Sequence, residues 1–369
     1  MTGSIDQGAA ALSWTSNTDA SALAAWLRDR ARVLILTHAK PDGDAMGSTL
    51  GLARALSALR KREGVPGQAA VCWYAGVMPS WAQEIAGSTP TRHLEADGLP
   101  DPASFDALVI CDTGSWSQLE PFAEVVREMH DRAALIDHHR QGDPEAAPRR
   151  WVDEDSAAAC RPVAELCVEL LGIEETSALP QDVAEPLLLG MATDTGFFRH
   201  SNVTPRTLRT AADLIEAGGR YGRLYTMHEQ QDRASRPRLL GRALAGTELH
   251  HDNACAIIVL RESDFREVGA GPGETGGFAD PLLAVSGVEV AVVLTEVEAK
   301  GEDPARVKLS FRSKAGDPPV DVNLVAQEFG GGGHMQAAGA RPEGSLEDVT
   351  RRVIDALGPA LETARAARA

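Results

Sequence analysis

Six acidic or imidazole side chains of this sequence follow closely on apolar stretches, in short turns that often contain Gly or Pro. They are His38, Asp42, Asp44, Asp112, His138 and Asp194. Two more, Asp137 and His139, flank His138, so that the apolar run 133–136 ends in one acid and two imidazoles. A single acidic residue at such a place is also typical of an ordinary strand cap, but the repetition of the pattern favours one shared site.

The residue types of this set favour metal binding. Clustered carboxylates repel one another strongly at low dielectric, so cations must neutralise them. Mixed carboxylate and imidazole ligands suit manganese or another first-row divalent ion better than calcium or a lone magnesium ion. Six ligands are too many for one tetrahedral zinc ion with an open position, whereas two ions about 3.5–4 Å apart can share them. We therefore expect two divalent ions, Mn²⁺ above others, that activate water for an in-line displacement at phosphorus.

Alternating apolar and amphipathic stretches predict the elements that must position these residues. We predict strands at 33–37, 69–74, 105–111 and 133–136, and helices at 19–30, 45–59, 121–130, 157–171, 181–193 and 205–217. This alternation is typical of an α/β fold with a doubly wound, mostly parallel sheet. Such sheets bind ligands beyond the carboxyl ends of their strands, which is where His38, Asp112 and the triplet 137–139 fall.

The pattern changes after residue 250. Strands are expected at 254–260, 288–297 and 306–313, and helices at 320–329 and 346–361. These elements predict a second, smaller α/β domain. We therefore expect one domain at 19–225, a partly helical linker at 226–245 and a second domain at 246–369, with the active site in the cleft between them. Residues 1–18 are expected to form a disordered lead-in.

A second set of candidate residues lies in this C-terminal part. Arg312 and Ser313 end an expected strand, and the glycines 330–333 precede His334. Glycine lets backbone N–H groups approach a phosphate closely, and Arg can bind a phosphate through two hydrogen bonds. A flexible loop is the alternative, but the helix before the glycines and the small residues after them favour a held loop. We expect substrate contacts from Arg312, Ser313, Gly331, Gly332, Gly333 and His334, and also from Arg199.

The composition limits the classes of partner. The 369 residues are enough for two domains, and the net charge of −17 argues against a general binder of long DNA or RNA. The five cysteines are odd in number and form no CxxC pair, which predicts neither a disulfide framework nor a thiolate zinc site. The sequence shows no signal-peptide pattern and no apolar run of about 18 residues. We expect a cytoplasmic protein without membrane contact.

These motifs together resemble the DHH phosphoesterase superfamily, whose name is the triplet 137–139. The matching stretches are 38–48, 110–114, 137–139 and 192–199, and the stretches 309–313 and 329–334 resemble the DHH-associated domain. The chain length and the TDTGFFR form of the fourth motif resemble the NrnA branch. That branch comprises nanoRNases that also dephosphorylate 3′-phosphoadenosine 5′-phosphate (pAp), and some members act on cyclic dinucleotides.

The resemblance implies a role for each residue. One metal ion would be held by His38, Asp42, Asp112 and Asp194, and the other by Asp44, Asp112, His138 and Asp194. Asp137 would orient a histidine, and His139 would contact the scissile phosphate or protonate the leaving oxygen. The C-terminal domain would bind the end of the nucleotide away from the metal ions. A homodimer is expected from the resemblance alone.

The implied activity is metal-dependent hydrolysis of phosphoester bonds in short nucleotides. Substrates would be dinucleotides such as pApA, which give mononucleotides, pAp, which gives AMP and phosphate, or cyclic di-AMP. Two alternatives stay open: a soluble pyrophosphatase or polyphosphatase built on the same first domain, and a nucleotide sensor without turnover. The Gly-rich segment argues against the first alternative, and the complete set of motif residues argues against the second. The sequence does not rank the nucleotide substrates.

Overall fold

A six-stranded parallel sheet forms the centre of the first unit of the chain. The computed structural model describes residues 13–65, 69–271, 273–297 and 304–368, and the chain divides after Gln230 into two units. The strands of the first unit are β1 (Val33–Leu36), β2 (Ala70–Tyr74), β3 (Thr91–His93), β4 (Ala107–Cys111), β5 (Ala133–Asp137) and β6 (Arg149–Val152). Their order across the sheet is β3-β2-β1-β4-β5-β6, and every neighbouring pair is parallel.

Helices cover both faces of this sheet. They are α1 (Ala20–Arg28), α2 (Gly43–Arg62), α3 (Ala82–Ala86), α4 (Leu94–Asp97), α5 (Trp116–Leu119), α6 (Ala123–Glu128), α7 (Cys160–Leu171), α8 (Gln181–Asp194), α9 (Pro205–Glu216) and α10 (Tyr221–Glu229). Successive side chains of a strand point to opposite faces, so Val33 and Ile35 join one apolar core while Leu34 and Leu36 join another. The first core contains residues of α2, α7 and α8, and the second contains residues of α6. The predicted doubly wound α/β class is confirmed.

A stripe of glycines lets α2 lie very close to α8. Gly43, Gly47 and Gly51 are four residues apart and therefore share one face of α2. A side-chain carbon at Gly47 would collide with the carbonyl oxygen of Pro186, inside α8, and would lie 2.8 Å from Sγ of Cys160. At Gly43 the same atom would collide with the side chain of Thr193. This close approach brings the first turn of α2 to the last turn of α8.

The second unit is built on a mixed sheet of six strands, β7 (Glu248–His250), β8 (Cys255–Leu260), β9 (Val290–Val297), β10 (Arg306–Ser313), β11 (Gly332–His334) and β12 (Ala337–Ala340). Their order is β11-β12-β10-β9-β8-β7, and β8 with β9 is the only parallel pair among these strands of the described residues. The helices are α11 (Ser235–Ala245), α12 (Glu262–Val268), α13 (Asp280–Leu283), α14 (Val322–Glu328) and α15 (Leu346–Arg368). Within the described ranges, the helices are all too short or too polar to cross a membrane.

Several stretches differ from the prediction. The edge strands β3 and β6 were not predicted, because they are short and rich in polar residues that pack on only one side. The expected linker 226–245 is mostly helical, since α10 ends at Glu229 and α11 begins at Ser235, with Leu239 fully buried in the core of the second unit. The expected lead-in 1–18 differs as well.

Residues 13–18 of that lead-in are ordered, and residues 1–12 lie outside the described residues. The backbone N–H of Asn17 donates to the carbonyl of Arg150 in β6 (2.9 Å), and the hydroxyl of Ser16 donates to the carbonyl of Val152 (2.8 Å). The segment therefore covers the exposed edge of the sheet, which would otherwise present unpaired backbone groups.

We predict that the substitution Gly47→Ala destabilises the first unit by about 1–3 kcal/mol, because the added methyl group must push α2 away from the backbone of α8. Gly222→Ala is the matched control, since an added methyl at this exposed position of α10 meets no atom within 4 Å among the described residues. The control should change stability by less than about 1 kcal/mol. Thermal and denaturant unfolding of both variants tests this, and equal stability of the two would contradict the close-packing argument.

Candidate metal centre

The candidate residues gather where the strand order of the first sheet reverses. From β1 the chain proceeds to β2 and β3 on one side, and from β4 to β5 and β6 on the other. The loops after β1 and β4 therefore diverge and leave a crevice, which is the usual ligand site of such sheets. His38 lies in the loop after β1, and Asp112 directly follows β4.

Asp112 has an unusual backbone conformation. Its φ of 61° lies in the left-handed region, which costs energy for a residue with a side chain. Strain of this kind persists only where the surrounding structure enforces it. The side chain is nearly inaccessible to solvent, so this conformation directs a carboxylate into the interior of the crevice region rather than toward water.

Two aspartates belong to the first turn of α2. Asp42 is the N-cap, and its side chain accepts hydrogen bonds from the backbone N–H groups of Asp44 and Ala45 at 3.0 and 3.1 Å. Asp44 is fully buried, and its carboxylate accepts the N–H groups of Ala159 (2.5 Å) and Cys160 (2.9 Å) at the start of α7. These N–H groups have no partner within their own helix, so α7 holds the Asp44 side chain in place.

The two imidazoles are held by their Nδ1 atoms. Nδ1 of His38 bonds to the carbonyl oxygen of Ala39 (3.0 Å), and Nδ1 of His138 bonds to that of Ser156 (3.2 Å). A carbonyl can only accept, so each Nδ1 must carry the proton. In the neutral ring this leaves Nε2 with a lone pair, and that is the form that binds a metal ion.

The Nε2 atoms face carboxylate oxygens at distances that suit shared metal ligation. Nε2 of His38 lies 3.7 Å from Asp42 Oδ1 and 3.6 Å from Asp112 Oδ2. Nε2 of His138 lies 3.4 Å from Asp112 Oδ1 and 3.4 Å from Asp194 Oδ2. These distances are long for hydrogen bonds. Atoms that each lie about 2.1 Å from one ion would be separated by roughly 3.0–3.5 Å.

Two groups of possible ligand atoms therefore adjoin each other, and in each group the atoms lie within 4.8 Å of one another. The groups are His38, Asp42 and Asp112, and Asp44, His138 and Asp194. Asp112 connects them, because its two oxygens face different histidines. The structure thus brings together all six residues that the sequence suggested as metal ligands.

Unsatisfied polar atoms show that the cluster fits a cation. Asp112 Oδ1 and His138 Nε2 are buried and have no hydrogen-bond partner in the described part of the chain. Buried polar atoms without partners cost about 1–3 kcal/mol each, so native structures rarely leave them unpaired. A divalent ion between them would satisfy both atoms and offset the repulsion among the carboxylates.

The charges of the cluster shift its proton affinities. Burial lowers the pKa of His38, but Asp112 and Asp42 outweigh it and raise that pKa to about 11. Burial also lowers the pKa of His138, but Asp112, Asp44 and Asp194 outweigh it and raise that pKa to about 10. Burial and the charge of Asp112 raise the pKa of Asp44 to about 7, despite its two backbone donors. Burial and its acidic neighbours also raise the pKa of Asp194.

Asp137 and His139 form a separate pair beside the ligand groups. Oδ1 of Asp137 accepts the backbone N–H groups of His138 (2.7 Å) and His139 (3.2 Å) and also Nδ1–H of His139 (2.7 Å). Both residues lie within 4.8 Å of Asp112 and His138, so they too could contribute ligand atoms. We interpret Asp137 as an orienting residue, because three N–H groups already occupy its Oδ1. The side chain of His139 is 41% exposed, so its remaining nitrogen is accessible to a ligand.

Arg199 does not join the cluster. It is exposed, and its Nε donates to the carbonyl of Gly196 (2.7 Å) in the turn after α8. The backbone of this turn is unusual, since Phe197 and Phe198 both have positive φ values, of 55° and 65°.

The C-terminal candidates lie in β10 and near the edge strand β11 of the sheet in the second unit. Two glycines of the expected held loop, Gly332 and Gly333, belong to β11, which pairs with β12. Arg312 of β10 and His334 of β11 both pair with Ala337 of β12, so the three side chains share one face. Gly333 allows this pairing, because any side chain there would collide with the carbonyl of Ala337. Ser313 is buried next to Arg312, and Arg312 and His334 are exposed.

Sequence reasoning missed the groups that support the ligands. The N–H groups of Ala159 and Cys160 and the carbonyl of Ser156 are backbone atoms, which leave no residue-type signal. Arg161 bonds to the Ser156 hydroxyl at 3.0 Å and is almost fully buried. An arginine among the small and apolar residues of the predicted helix 157–171 is the one signal that could have pointed to this support.

We predict that metal binding at this centre releases protons. His38 and His138 have raised pKa values and are protonated at pH 7 without metal, but they must be neutral to bind an ion. Affinity for Mn²⁺ should therefore rise from pH 6 to pH 8, with at least two protons released per chain. Calorimetric titrations in buffers of different ionisation enthalpy measure this release. A binding heat that does not depend on the buffer would contradict the assignment of the histidines.

Comparisons with known proteins identify the family of this chain. Residues 32–191 match the DHH family, N-terminal domain, and residues 253–359 match the DHHA1 domain. The bifunctional oligoribonuclease and PAP phosphatase NrnA of Thermus thermophilus is 33% identical over 326 residues, which cover 88% of this chain and 89% of the relative. The protein of the same name from Bacillus subtilis is 27% identical over 329 residues, which cover 84% and 88%.

A solved structure supports the fold. The crystal structure of an exopolyphosphatase-related protein from Bacteroides fragilis superposes with a TM-score of 0.79 at 22% identity, and the match covers 92% of this chain and 96% of that one. The family assignment therefore rests on matches to both domains and on relatives that align over most of the chain, and not on the DHH triplet alone. The chain belongs to the DHH family, with a DHHA1 domain in its second unit.

Proposed function

We propose that this protein is a metal-dependent phosphoesterase that hydrolyses short nucleotides. Its substrates would be oligoribonucleotides such as pApA, which yield mononucleotides, and pAp, which yields AMP and phosphate. The observation that carries the proposal is Asp112, whose two oxygens face His38 and His138 and so connect two adjoining groups of ligand atoms. Paired sites of this kind are typical of enzymes that transfer or hydrolyse phosphoryl groups.

Full-length similarity supports the nucleotide class. The relatives from Thermus thermophilus and Bacillus subtilis are both called bifunctional oligoribonuclease and PAP phosphatase, and each match includes both domains. A relative from Geobacillus thermodenitrificans is called a cyclic-di-AMP phosphodiesterase and is 27% identical, which adds cyclic di-AMP as a further substrate to test. The net charge of −17 disfavours long nucleic acid as a substrate.

Two divalent ions would be held by the residues of the candidate centre. His38, Asp42, Asp112 and Asp194 would bind one ion, and Asp44, Asp112, His138 and Asp194 would bind the other. The mixed nitrogen and oxygen ligands suit Mn²⁺. When bound, such ions supply the positive charge that activates water and offsets the charge of a phosphate.

The Asp137–His139 pair would protonate the leaving group. Asp137 fixes the ring of His139 through Nδ1 and raises the pKa of His139 by hydrogen bonding to its protonated form. This hydrogen bond favours the protonated ring of His139, which would donate a proton from its other nitrogen to the leaving oxygen. Asp137 is fully buried and does not contact solvent, so its role is to orient His139.

The second unit would also contribute substrate contacts. Arg312 and His334 share one sheet face and offer a cation and an imidazole to a phosphate. The glycines of β11 keep that edge free of side chains, so a ribose or base could approach the backbone. We also propose substrate contacts for Ser313 and, from the first unit, for Arg199.

A turnover panel tests the substrate class. In Mn²⁺ the purified protein should hydrolyse pApA and pAp faster than pyrophosphate, and short RNAs of two to five nucleotides faster than long ones. Cyclic di-AMP completes the panel. Rapid hydrolysis of pyrophosphate with no turnover of any nucleotide would overturn the proposal in favour of a pyrophosphatase. Tight binding of pApA without turnover would favour a sensor.

Substitution of His139 tests the leaving-group role. His139→Asn should lower kcat on pApA by about 10²–10⁴-fold, as expected for the loss of a general acid, while Mn²⁺ binding is retained. His130→Asn is the matched control, because His130 also has a 41% exposed side chain next to an aspartate but lies at the other end of β5. The control should keep kcat within twofold. A His139→Asn variant as active as this control would remove His139 from the mechanism.

A further inference from the structure

The N-terminal segment places one indole against the loops of the metal centre. Nε1–H of Trp14 donates to the backbone carbonyl of His139 at 2.9 Å. The ring occupies the space that side chains at Gly114 and Gly142 would need, since an added carbon at either glycine would collide with it. Gly114 lies two residues after Asp112, and Gly142 lies three residues after His139. One side chain therefore contacts both the loop after β4 and the loop after β5.

The same two loops are joined to each other beside the indole. The N–H of Asp143 donates to the carbonyl of Gly114 (2.8 Å), and the Asp143 carboxylate accepts the N–H of Trp116 (2.7 Å). The spacing of these loops sets the distance between Asp112 and the two histidines, which is 3.4 Å to Nε2 of His138 and 3.9 Å to Nδ1 of His139. A shift of either loop would therefore change the geometry of the candidate ligands.

The segment that carries Trp14 is itself well anchored. Asn17 Oδ1 accepts the N–H of Arg150 (2.7 Å), and its Nδ2 donates to the carbonyl of Pro148 (2.8 Å). Ser16 Oγ donates to the carbonyl of Val152 and accepts the N–H of the same residue, both at 2.8 Å. These side-chain bonds complete the edge of β6 and fix the position from which Trp14 reaches the loops.

We propose that Trp14 is a positioning residue, which holds the loops after β4 and β5 at the spacing that the metal centre requires. Its hydrogen bond to the His139 carbonyl fixes the backbone of the triplet 137–139, and its ring fixes the glycine turns on both sides. The left-handed backbone of Asp112 requires such support from outside its own loop. The kinetic test of this inference rests on the proposed function, whereas the test by Mn²⁺ affinity is independent of it.

Two substitutions separate positioning from simple stability. Trp14→Phe removes the N–H donor and part of the aromatic ring, whereas Trp14→Ala removes the whole ring and both contacts. The control is Trp26→Phe, because Nε1 of Trp26 has no hydrogen-bond partner in the described part of the chain. The variants are compared in thermal unfolding, in Mn²⁺ affinity by calorimetry, and in kcat and KM for pApA.

We expect Trp14→Phe to lower kcat by about threefold to tenfold, as for the loss of one hydrogen bond, with KM within twofold and a melting temperature equal to that of the control. Trp14→Ala should lower kcat and Mn²⁺ affinity by about 10–100-fold, as for the loss of groups that orient metal ligands. Trp14→Phe with the kcat and Mn²⁺ affinity of the control would overturn the inference, whatever Trp14→Ala does. If the wild-type protein turns over no nucleotide, the proposed function fails, and an unchanged Mn²⁺ affinity in Trp14→Ala alone would then overturn the positioning role.

Discussion

The mutual repulsion of buried carboxylates is the constraint on which the first unit depends. Asp44 and Asp112 are almost inaccessible to solvent, and Asp194 is largely buried beside them. Charges this close, with little water between them, oppose folding unless hydrogen-bond donors or cations compensate them. The start of α7 donates two N–H groups to Asp44, and two histidines with raised pKa values face Asp112. Divalent ions would complete this compensation, so the site is part of the stability of the fold.

Close packing of helices makes that arrangement geometrically possible. The glycine stripe of α2 brings Asp42 and Asp44 to the end of α8, where Asp194 is the last residue. Gly190 serves the same purpose from the opposite side, because a side chain there would collide with Cys160 and lie 2.7 Å from Asp44 Oδ1. Small residues are therefore needed on both helices. Their role is to let carboxylates from distant parts of the sequence reach one centre.

Each unit presents its own set of polar candidate residues. The first brings the possible metal ligands together and places His139 beside them, oriented by Asp137. The second presents an arginine and a histidine on one face of a sheet edge that glycines leave open.

The sequence by itself determined the interior strands and the residues that follow them. Apolar runs such as 107–111 form strands whichever strands lie beside them. A parallel sheet aligns the carboxyl ends of its strands, so His38, Asp112 and the DHH triplet were expected at one edge. Only the tertiary structure decided which atoms support them. The donors to Asp44, the carbonyl that holds His138, the pairing of β11 and the contact of Trp14 with His139 join residues far apart in the chain, mostly through backbone atoms. Every residue type carries the same backbone groups, so a sequence pattern cannot mark them, and only the folded chain brings them to their partners.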